Sequence, residues 1–415
     1  MCHDACPTHM HAPEYIRAIW QDNVEEAVRQ IYRTNPFAHT CGRVCTHRCE
    51  DACSVGRNGE PIAIRWLKRY AMDSLSQERV AQIVAEEGAH PPSGHRVAIV
   101  GAGPAGLTAA FDLVRTGHEV TVFEALPKAG GMTRYGIPNY RLPGDMLDRD
   151  VAIITGLGVE IRYDTRIGRD IAMADLERDY DAVLLAIGLQ YGRSTRIPGS
   201  DHGHVFRAVD LLRDIAAGAA LQVPEQAVVI GGGNVAMDIA RSLARLQKQQ
   251  HGRVGMTVTA VQPHGEFPAD PEEIEEAGEE GIEILAGRGP QSVAVDDGRV
   301  LGLNTARVLS LCDEQGRFAP SYDLEDMAFH PGAWVIEAIG QMSDAETVLG
   351  AAFTERLDWN RGRLATDANG RTSLPWLWAA GDMVNGPDVV HAVADGHRVA
   401  ADIHHHLYTI AEVTP

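Results

Sequence analysis

Residues 96–125, RVAIVGAGPAGLTAAFDLVRTGHEVTVFEA, restrict this chain more than any other stretch. The apolar run Val97, Ala98, Ile99, Val100 enters Gly101-Ala102-Gly103-Pro104-Ala105-Gly106, after which Leu107, Ala110, Phe111 and Val114 recur at helical spacing. The pattern is strand, tight turn, helix. Gly101 permits the turn, Gly103 lets backbone approach a pyrophosphate, Gly106 lets helix pack on strand, and the helix that Pro104 opens, from Ala105 onward, offers free N–H groups to phosphate. A second strand, residues 119–123, ends in Glu124, about 20 residues on, where a ribose hydroxyl is gripped. A glycine-rich turn alone would mean little; with strand, helix and acid in place it predicts a dinucleotide site.

A second unit of the same kind begins at Ala227. Val228, Val229 and Ile230 run into Gly231-Gly232-Gly233-Asn234-Val235-Ala236, followed by Met237, Ile239, Ala240, Leu243 and Leu246 along a helix. Gly231, Gly233, Asn234 and Val235 are the candidate holders of a second pyrophosphate. The next strand, residues 256–261, ends in Gln262-Pro263-His264, with no arginine pair to meet a 2′-phosphate, so NAD(H) is expected rather than NADP(H). The acidic run 270–283 is expected to be a solvated helix face.

Other stretches fit one of the two nucleotides being a flavin. Leu377-Trp378-Ala379-Ala380-Gly381-Asp382 reads as a strand delivering an acid to a ribityl or pyrophosphate group, and the helix expected from Val389 and Val390 can set N–H groups against a reduced flavin. The loop 130–143, with Gly131, Met132 and Arg141, is a candidate wall for the ring. Ala338-Ile339-Gly340, a small-residue strand end, is a candidate lining of the nicotinamide approach. The triplet His404-His405-His406 is expected at a solvated helix end.

At 415 residues with a formal charge of −20, the chain should hold two or three domains and should repel nucleic acid and anionic membrane. No apolar run approaches the roughly 18 residues of a membrane span, and the N-terminus lacks a signal-peptide layout, so a cytoplasmic protein is expected. Six of the seven cysteines precede Ser54. Cys2, Cys6, Cys45, Cys49 and Cys53 are candidate metal ligands, with Cys41 in the same run; iron–sulfur and zinc compete there with simple packing of small thiols. Helices are expected over 13–33 and 61–86, and Pro91-Pro92-Ser93-Gly94 as a linker.

These segments together resemble a known family: the flavin subunit shared by the glutamate synthase small subunit, the NAD(P)H-binding half of dihydropyrimidine dehydrogenase and related electron-input subunits. CGRVCTHRCEDAC, GEPIAIRWLKRYAMD, VAIVGAGPAGLTAA, GGMTRYGIPNYRLP, VVIGGGNVAMDIAR and AAGDMV fall in the family's order. The resemblance implies an α/β fold of two nested Rossmann-like nucleotide-binding domains, for FAD and NAD, preceded by an α-helical cysteine-rich, iron–sulfur type domain. Domains are expected at 1–92 (helical), 93–203 and 333–415 (FAD) and 204–332 (NAD). It also implies Cys2 and Cys53 for one cluster and Cys6, Cys45 and Cys49 for another; Lys68 stands where relatives place Glu or Gln, and an ammonium cannot donate to iron.

The function expected is an FAD-dependent NADH:acceptor oxidoreductase subunit of a larger complex, passing hydride from NADH to flavin and single electrons to an iron–sulfur electron-transfer subunit and catalytic subunits. A 2-oxoacid dehydrogenase is the favoured partner, with glutamate synthase or a pyrimidine reductase as alternatives. Two rivals belong to other classes. A thioredoxin-reductase-type enzyme needs a cysteine pair beside the flavin, and only Cys312 lies outside the N-terminal run; a non-catalytic zinc scaffold needs no flavin at all.

Overall fold

The computed structural model describes residues 1–360 and 362–413, the side chains of 409–413 excepted. The chain divides into two compact units: Met1–Arg134, Asn139–Leu189 and Ser343–Pro415 form the first, and Tyr135–Pro138 with Gln190–Met342 the second.

The first unit is built on a five-stranded parallel sheet in the order Leu377–Ala379, Ala182–Leu185, Arg96–Val100, Glu119–Phe123, Glu160–Arg162. Apart from the edge strand Glu160–Arg162 its strands are buried almost throughout, as a parallel sheet covered on both faces requires. The helices Pro104–Arg115 and Val389–Val413 pack on it. The N-terminal helices Ala12–Trp20, Val24–Tyr32, Ala38–Val44, Ile64–Asp73 and Gln77–Glu86 do not form a separate core: Tyr15, Ile31, Phe37, Met72 and Ile83 belong to one apolar cluster with Val97, Leu107, Phe111 and Leu147. Residues 1–92, expected as a domain of their own, are thus packed as part of the first unit.

Both long helices expected here are broken. Between Trp20 and Val24 the backbone turns left-handed at Asp22 (φ 56°), and Asn23 accepts from Glu26 N–H at 3.1 Å as an N-cap. Between Asp73 and Gln77, Ser76 caps the second helix by accepting from Arg79 N–H at 3.3 Å. In each case a cap residue starts a new helix where apolar periodicity alone ran on.

The second unit has its own parallel sheet, Val205–Arg207, Trp334–Glu337, Ala227–Ile230, Met256–Thr259, Glu283–Leu285. The strand Trp334–Glu337 lies inside this sheet, and Thr195 N–H donates to Glu337 Oε1 at 2.8 Å, so the boundaries expected at 203/204 and 332/333 fall at 189/190 and 342/343. An antiparallel sheet of Arg288–Asp296, Arg299–Cys312 and Phe318–Pro331, not anticipated from sequence, completes the unit. The acidic run is a helix, Pro271–Glu279, but not merely a solvated face: Glu276 and Glu280 meet the buried Arg241 guanidinium at 2.6 and 2.9 Å, and Glu273 also contacts it. Arg241 is 3% exposed, and a cation that deep needs such partners.

Asp150, fully buried in the helix Gly144–Gly156, accepts from His39 N–H (3.1 Å) and Thr40 N–H (2.9 Å) at the start of helix Ala38–Val44. Burial lifts its carboxyl to about 7. Because this folded value lies above the unfolded one, the unfolded chain ionises first, and stability should fall as pH rises from about 4 to 7, by about 4 kcal/mol. Melting followed across that range should show the slope, and Asp150→Asn should flatten it.

Candidate functional site

The first glycine turn has the geometry of a phosphate cradle. Gly101 adopts φ 108°, and a Cβ there would lie 2.5 Å from Ala186 O, so no side chain fits between the strand ends. A Cβ on Gly106 would lie 2.1 Å from Gly101 O, which is the close packing of helix on strand that the turn needs. Gly103 caps the helix, with Gly131 Cα as its one near neighbour, and Pro104 and Ala105 open the helix below it. Gly131 (φ 53°) approaches Gly103 so closely that a Cβ on it would come within 2.9 Å of Gly103 Cα. Met132 begins a short helix, Met132–Tyr135, where an irregular loop was expected, and Arg141 follows, half-buried.

Glu124 is buried behind the turn. Its carboxylate accepts from Ala102 N–H at 2.8 Å and Leu126 N–H at 2.9 Å, and burial pushes its carboxyl up. It therefore shapes the turn while each oxygen keeps a further lone pair for a hydroxyl. At the other strand end, Gly381 N–H donates to Asp395 Oδ2 at 3.1 Å, and the Asp382 carboxyl is raised to about 6, chiefly by burial and then by Asp388 and Asp395. A Cβ on Gly386 would sit 2.5 Å from Asp382 Oδ1. Val390 is buried in the first turn of helix Val389–Val413.

Sequence reasoning missed Asp388. It accepts from His391 N–H at 3.0 Å, and Thr46 Oγ1 donates to its other oxygen at 3.2 Å. An acid just before an apolar helical run was the readable signal; Thr46, lying hundreds of residues away in sequence, had none. This bond joins the cysteine run to the loop between Asp382 and Val389.

The cysteines fall into two environments. Cys41, Cys45 and Cys49 all have the Lys68 ammonium as a charged neighbour, and Cys6 adjoins Cys45 and Cys49. Lys68 is 6% exposed. Burial pushes the Cys45 thiol up and the Cys49 thiol to about 12, so a metal binding there would displace protons. Cys53 stands apart, its sulfur facing backbone N–H groups of Ile62, Val55 and Gly56, which lower its pKa. Cys2 lies in the short helix Cys2–Ala5, which packs on Arg48–Asp51. Soft thiols in a buried pocket suit iron and sulfide. Among the described residues no three His, Cys, Asp or Glu side chains gather as a single-metal site would require.

In the second unit Gly231 (φ 144°) packs on Ala338, whose carbonyl a Cβ would meet at 2.3 Å, bringing the segment Ala338–Gly340 beside the turn. Gly233 has no atom within 4 Å of a Cβ position, leaving the space before Asn234 and Val235 open. The Asn234 side chain is engaged: its Oδ1 accepts from Asp270 N–H at 2.8 Å and its Nδ2 donates to Asp270 Oδ2 at 3.1 Å, so only its backbone is offered to a phosphate. Gln262 O accepts from Gly287 N–H, and the neighbouring Arg288 turns its guanidinium onto Asp326 at 2.8 Å. Cys312, the one cysteine of this unit, is exposed on a strand. Of the histidine triplet only His405 is exposed; His404 Nδ1 lies 3.0 Å from His118 Nε2, and His118 Nδ1 lies 2.8 Å from Ser93 Oγ.

A family model described as pyridine nucleotide-disulphide oxidoreductase matches residues 95–396, and a second, dihydropyrimidine dehydrogenase domain II with a 4Fe-4S cluster, matches residues 1–80. The chain is 37% identical over 430 residues to the NADP(+)-dependent formate dehydrogenase subunit beta of Moorella thermoacetica, covering 98% of this chain and 60% of that one. It is 34% identical to the NADPH-Fe(3+) oxidoreductase subunit beta of Geobacter sulfurreducens, covering 96% and 62%. It therefore spans about three fifths of these relatives. It is 33% identical to the NAD-dependent dihydropyrimidine dehydrogenase subunit PreT of Escherichia coli K12, covering 98% and 92%. Among solved structures, FprA of Mycobacterium tuberculosis in complex with NADPH superposes with a TM-score of 0.64 at 19% identity over 78% of this chain and 86% of that one, a likeness of fold. Among the described residues no helix is long and apolar enough to cross a membrane.

Proposed function

Because the chain belongs to the pyridine nucleotide-disulphide oxidoreductase family and carries an N-terminal segment of the 4Fe-4S type, we propose that it is the FAD-containing electron-input subunit of a larger oxidoreductase, oxidising NADH and passing electrons on singly. The turn 101–106 and the helix behind it hold the FAD pyrophosphate, Glu124 a ribose hydroxyl, and Asp382 the ribityl chain, with Gly131, Met132, Arg141 and Val390 around the ring. Gly231, Gly233 and the backbone of Asn234 and Val235 hold the NAD pyrophosphate, with Gly340 near the nicotinamide. Cys6, Cys45 and Cys49 hold iron–sulfur. FAD, when bound, accepts a two-electron hydride and yields one-electron steps, which nicotinamide cannot. The protein's own work is to bind and orient each nucleotide.

The observation that carries this reading is the Thr46–Asp388 hydrogen bond, which sets the cysteine pocket beside the Asp382 loop; Asp388 is also among the charged neighbours of Cys45. Electrons leaving a flavin held at Asp382 thus have the thiol pocket next to them. The acceptor is proposed only as an electron-carrying partner: the three relatives' names speak of formate, ferric iron and dihydropyrimidine, and none favours a 2-oxoacid enzyme.

The test is the absorption spectrum of the anaerobically purified chain. Flavin bands that NADH bleaches are the expected result. A colourless protein that takes up no FAD when supplied would sink the proposal, and zinc in its place would favour a scaffold. NADPH should be the poorer donor by about 10- to 100-fold in kcat/KM, since the Gln262-Pro263-His264 strand end carries no arginine pair and the neighbouring Arg288 is engaged by Asp326. Equal rates with the two donors would refute the NADH preference.

A further inference from the structure

The helix Ile64–Asp73 lies tight against the cysteine run. A Cβ on Gly42 would stand 3.1 Å from Arg69 Cα, so the helices Ala38–Val44 and Ile64–Asp73 meet backbone to backbone, with Lys68 next to the point of contact. Three bonds fix the start of the second helix: Tyr15 Oη donates to Ile64 O at 2.9 Å, Arg65 N–H to Glu50 Oε1 at 2.7 Å, and the Arg65 guanidinium to Cys45 O at 3.4 Å. Tyr15, fully buried, also neighbours Cys6, Cys45 and Cys49. Lys68 is thereby held in the thiol pocket, 6% exposed, as the charged neighbour that Cys41, Cys45 and Cys49 share. Its ammonium has no hydrogen bond or ion pair among the described residues. The other deep cation, Arg241, is met by Glu276 and Glu280. A buried cation left without an anion is costly, and the thiols around Lys68 are the groups able to supply one. They must ionise to bind iron, so the pocket gains negative charge when it is loaded. Glu50 beside Cys49 and Asp388 beside Cys45 add to that charge.

We propose that Lys68 is the counter-charge of the thiol pocket: it offsets the negative charge of iron–sulfur held by Cys6, Cys45 and Cys49 and biases that site toward its reduced form. The inference rests on the function proposed above. Reduction by one electron adds one negative charge with no bond made or broken, and a fixed cation nearby favours the state that carries the extra electron. The electron comes from flavin reduced by NADH.

The test uses the full flavin-loaded chain, purified anaerobically, with iron and acid-labile sulfide measured and the reduced fraction followed by EPR as dithionite is added with redox mediators. Lys68→Leu and Lys68→Gln remove the charge; Lys68→Arg keeps it. At the potential where half of the wild-type site is reduced, the ratio of reduced to oxidised site should fall about 5- to 20-fold in both neutral variants and less than about twofold in Lys68→Arg, tenfold being about 59 mV for one electron. Iron loss confined to the two neutral variants would also support the counter-charge. An unchanged ratio in the neutral variants, an equal fall in Lys68→Arg, or iron loss from all three would overturn it. A wild type whose flavin is bleached by NADH but which holds no iron would overturn the role of Lys68 and leave the flavin part of the function standing. A wild type that holds iron but no flavin would overturn the function itself, while the dithionite titration still decides on Lys68.

Discussion

A Gly233→Val protein should purify folded and yellow, yet bind NADH about 100-fold more weakly, a loss of roughly 3 kcal/mol. Gly233 has extended backbone (φ −95°, ψ 174°) that valine adopts readily, and nothing lies within 4 Å of its Cβ position, so the fold has no reason to object. The space such a side chain fills is the path by which a pyrophosphate reaches the helix N-terminus. Gly106→Val is the contrasting experiment. There a Cβ would stand 2.1 Å from Gly101 O, a contact that only a shift of helix from strand relieves, and the product should be destabilised and colourless. Melting curves, flavin content and an NADH titration of the two proteins separate the outcomes; unchanged NADH affinity in Gly233→Val would remove the second turn from the nucleotide site.

Glu124→Ala should lose FAD on gel filtration, with a dissociation constant raised about 10- to 100-fold. The substitution removes the acceptor of two N–H groups, those of Ala102 and Leu126, and stranding a buried donor costs about 1–3 kcal/mol before any contact to the ligand is counted. Glu124→Gln should fall between, because an amide offers one oxygen and turns its NH₂ toward the second donor. Full flavin occupancy in the alanine protein would show that this carboxylate serves only the turn.

The two glycine turns and their strands could be read in the sequence because their requirements are local: a residue without Cβ at fixed spacing between an apolar run and a helix. What escaped was non-local or disguised. The cap residues Asn23 and Ser76 were visible as letters, but apolar periodicity on both sides concealed the breaks. The Glu276 and Glu280 carboxylates looked solvated because Arg241, which they neutralise, is far off in sequence and itself part of a helix face. His118 and His404 meet across 286 residues, beyond any pattern in a window. The long antiparallel strands between residues 288 and 331 carry charged and apolar side chains on both faces, which hides the period-two signal. At the site itself, Asn234 has the residue type expected, but its amide is occupied by Asp270, something only packing could reveal.

The strand Leu377–Ala379 pairs with Ala182–Leu185, and the whole of Gln190–Met342 is translated between them. On the ribosome, the inserted segment emerges with every strand of its own sheet and can close first, while the flank of Ala182–Leu185 stays open. Truncated products ending before residue 377 would carry that bare flank, a ready template for aggregation. Prosthetic-group loading must therefore wait until synthesis is nearly finished, and supply of flavin to nascent chains should not rescue any stalled fragment.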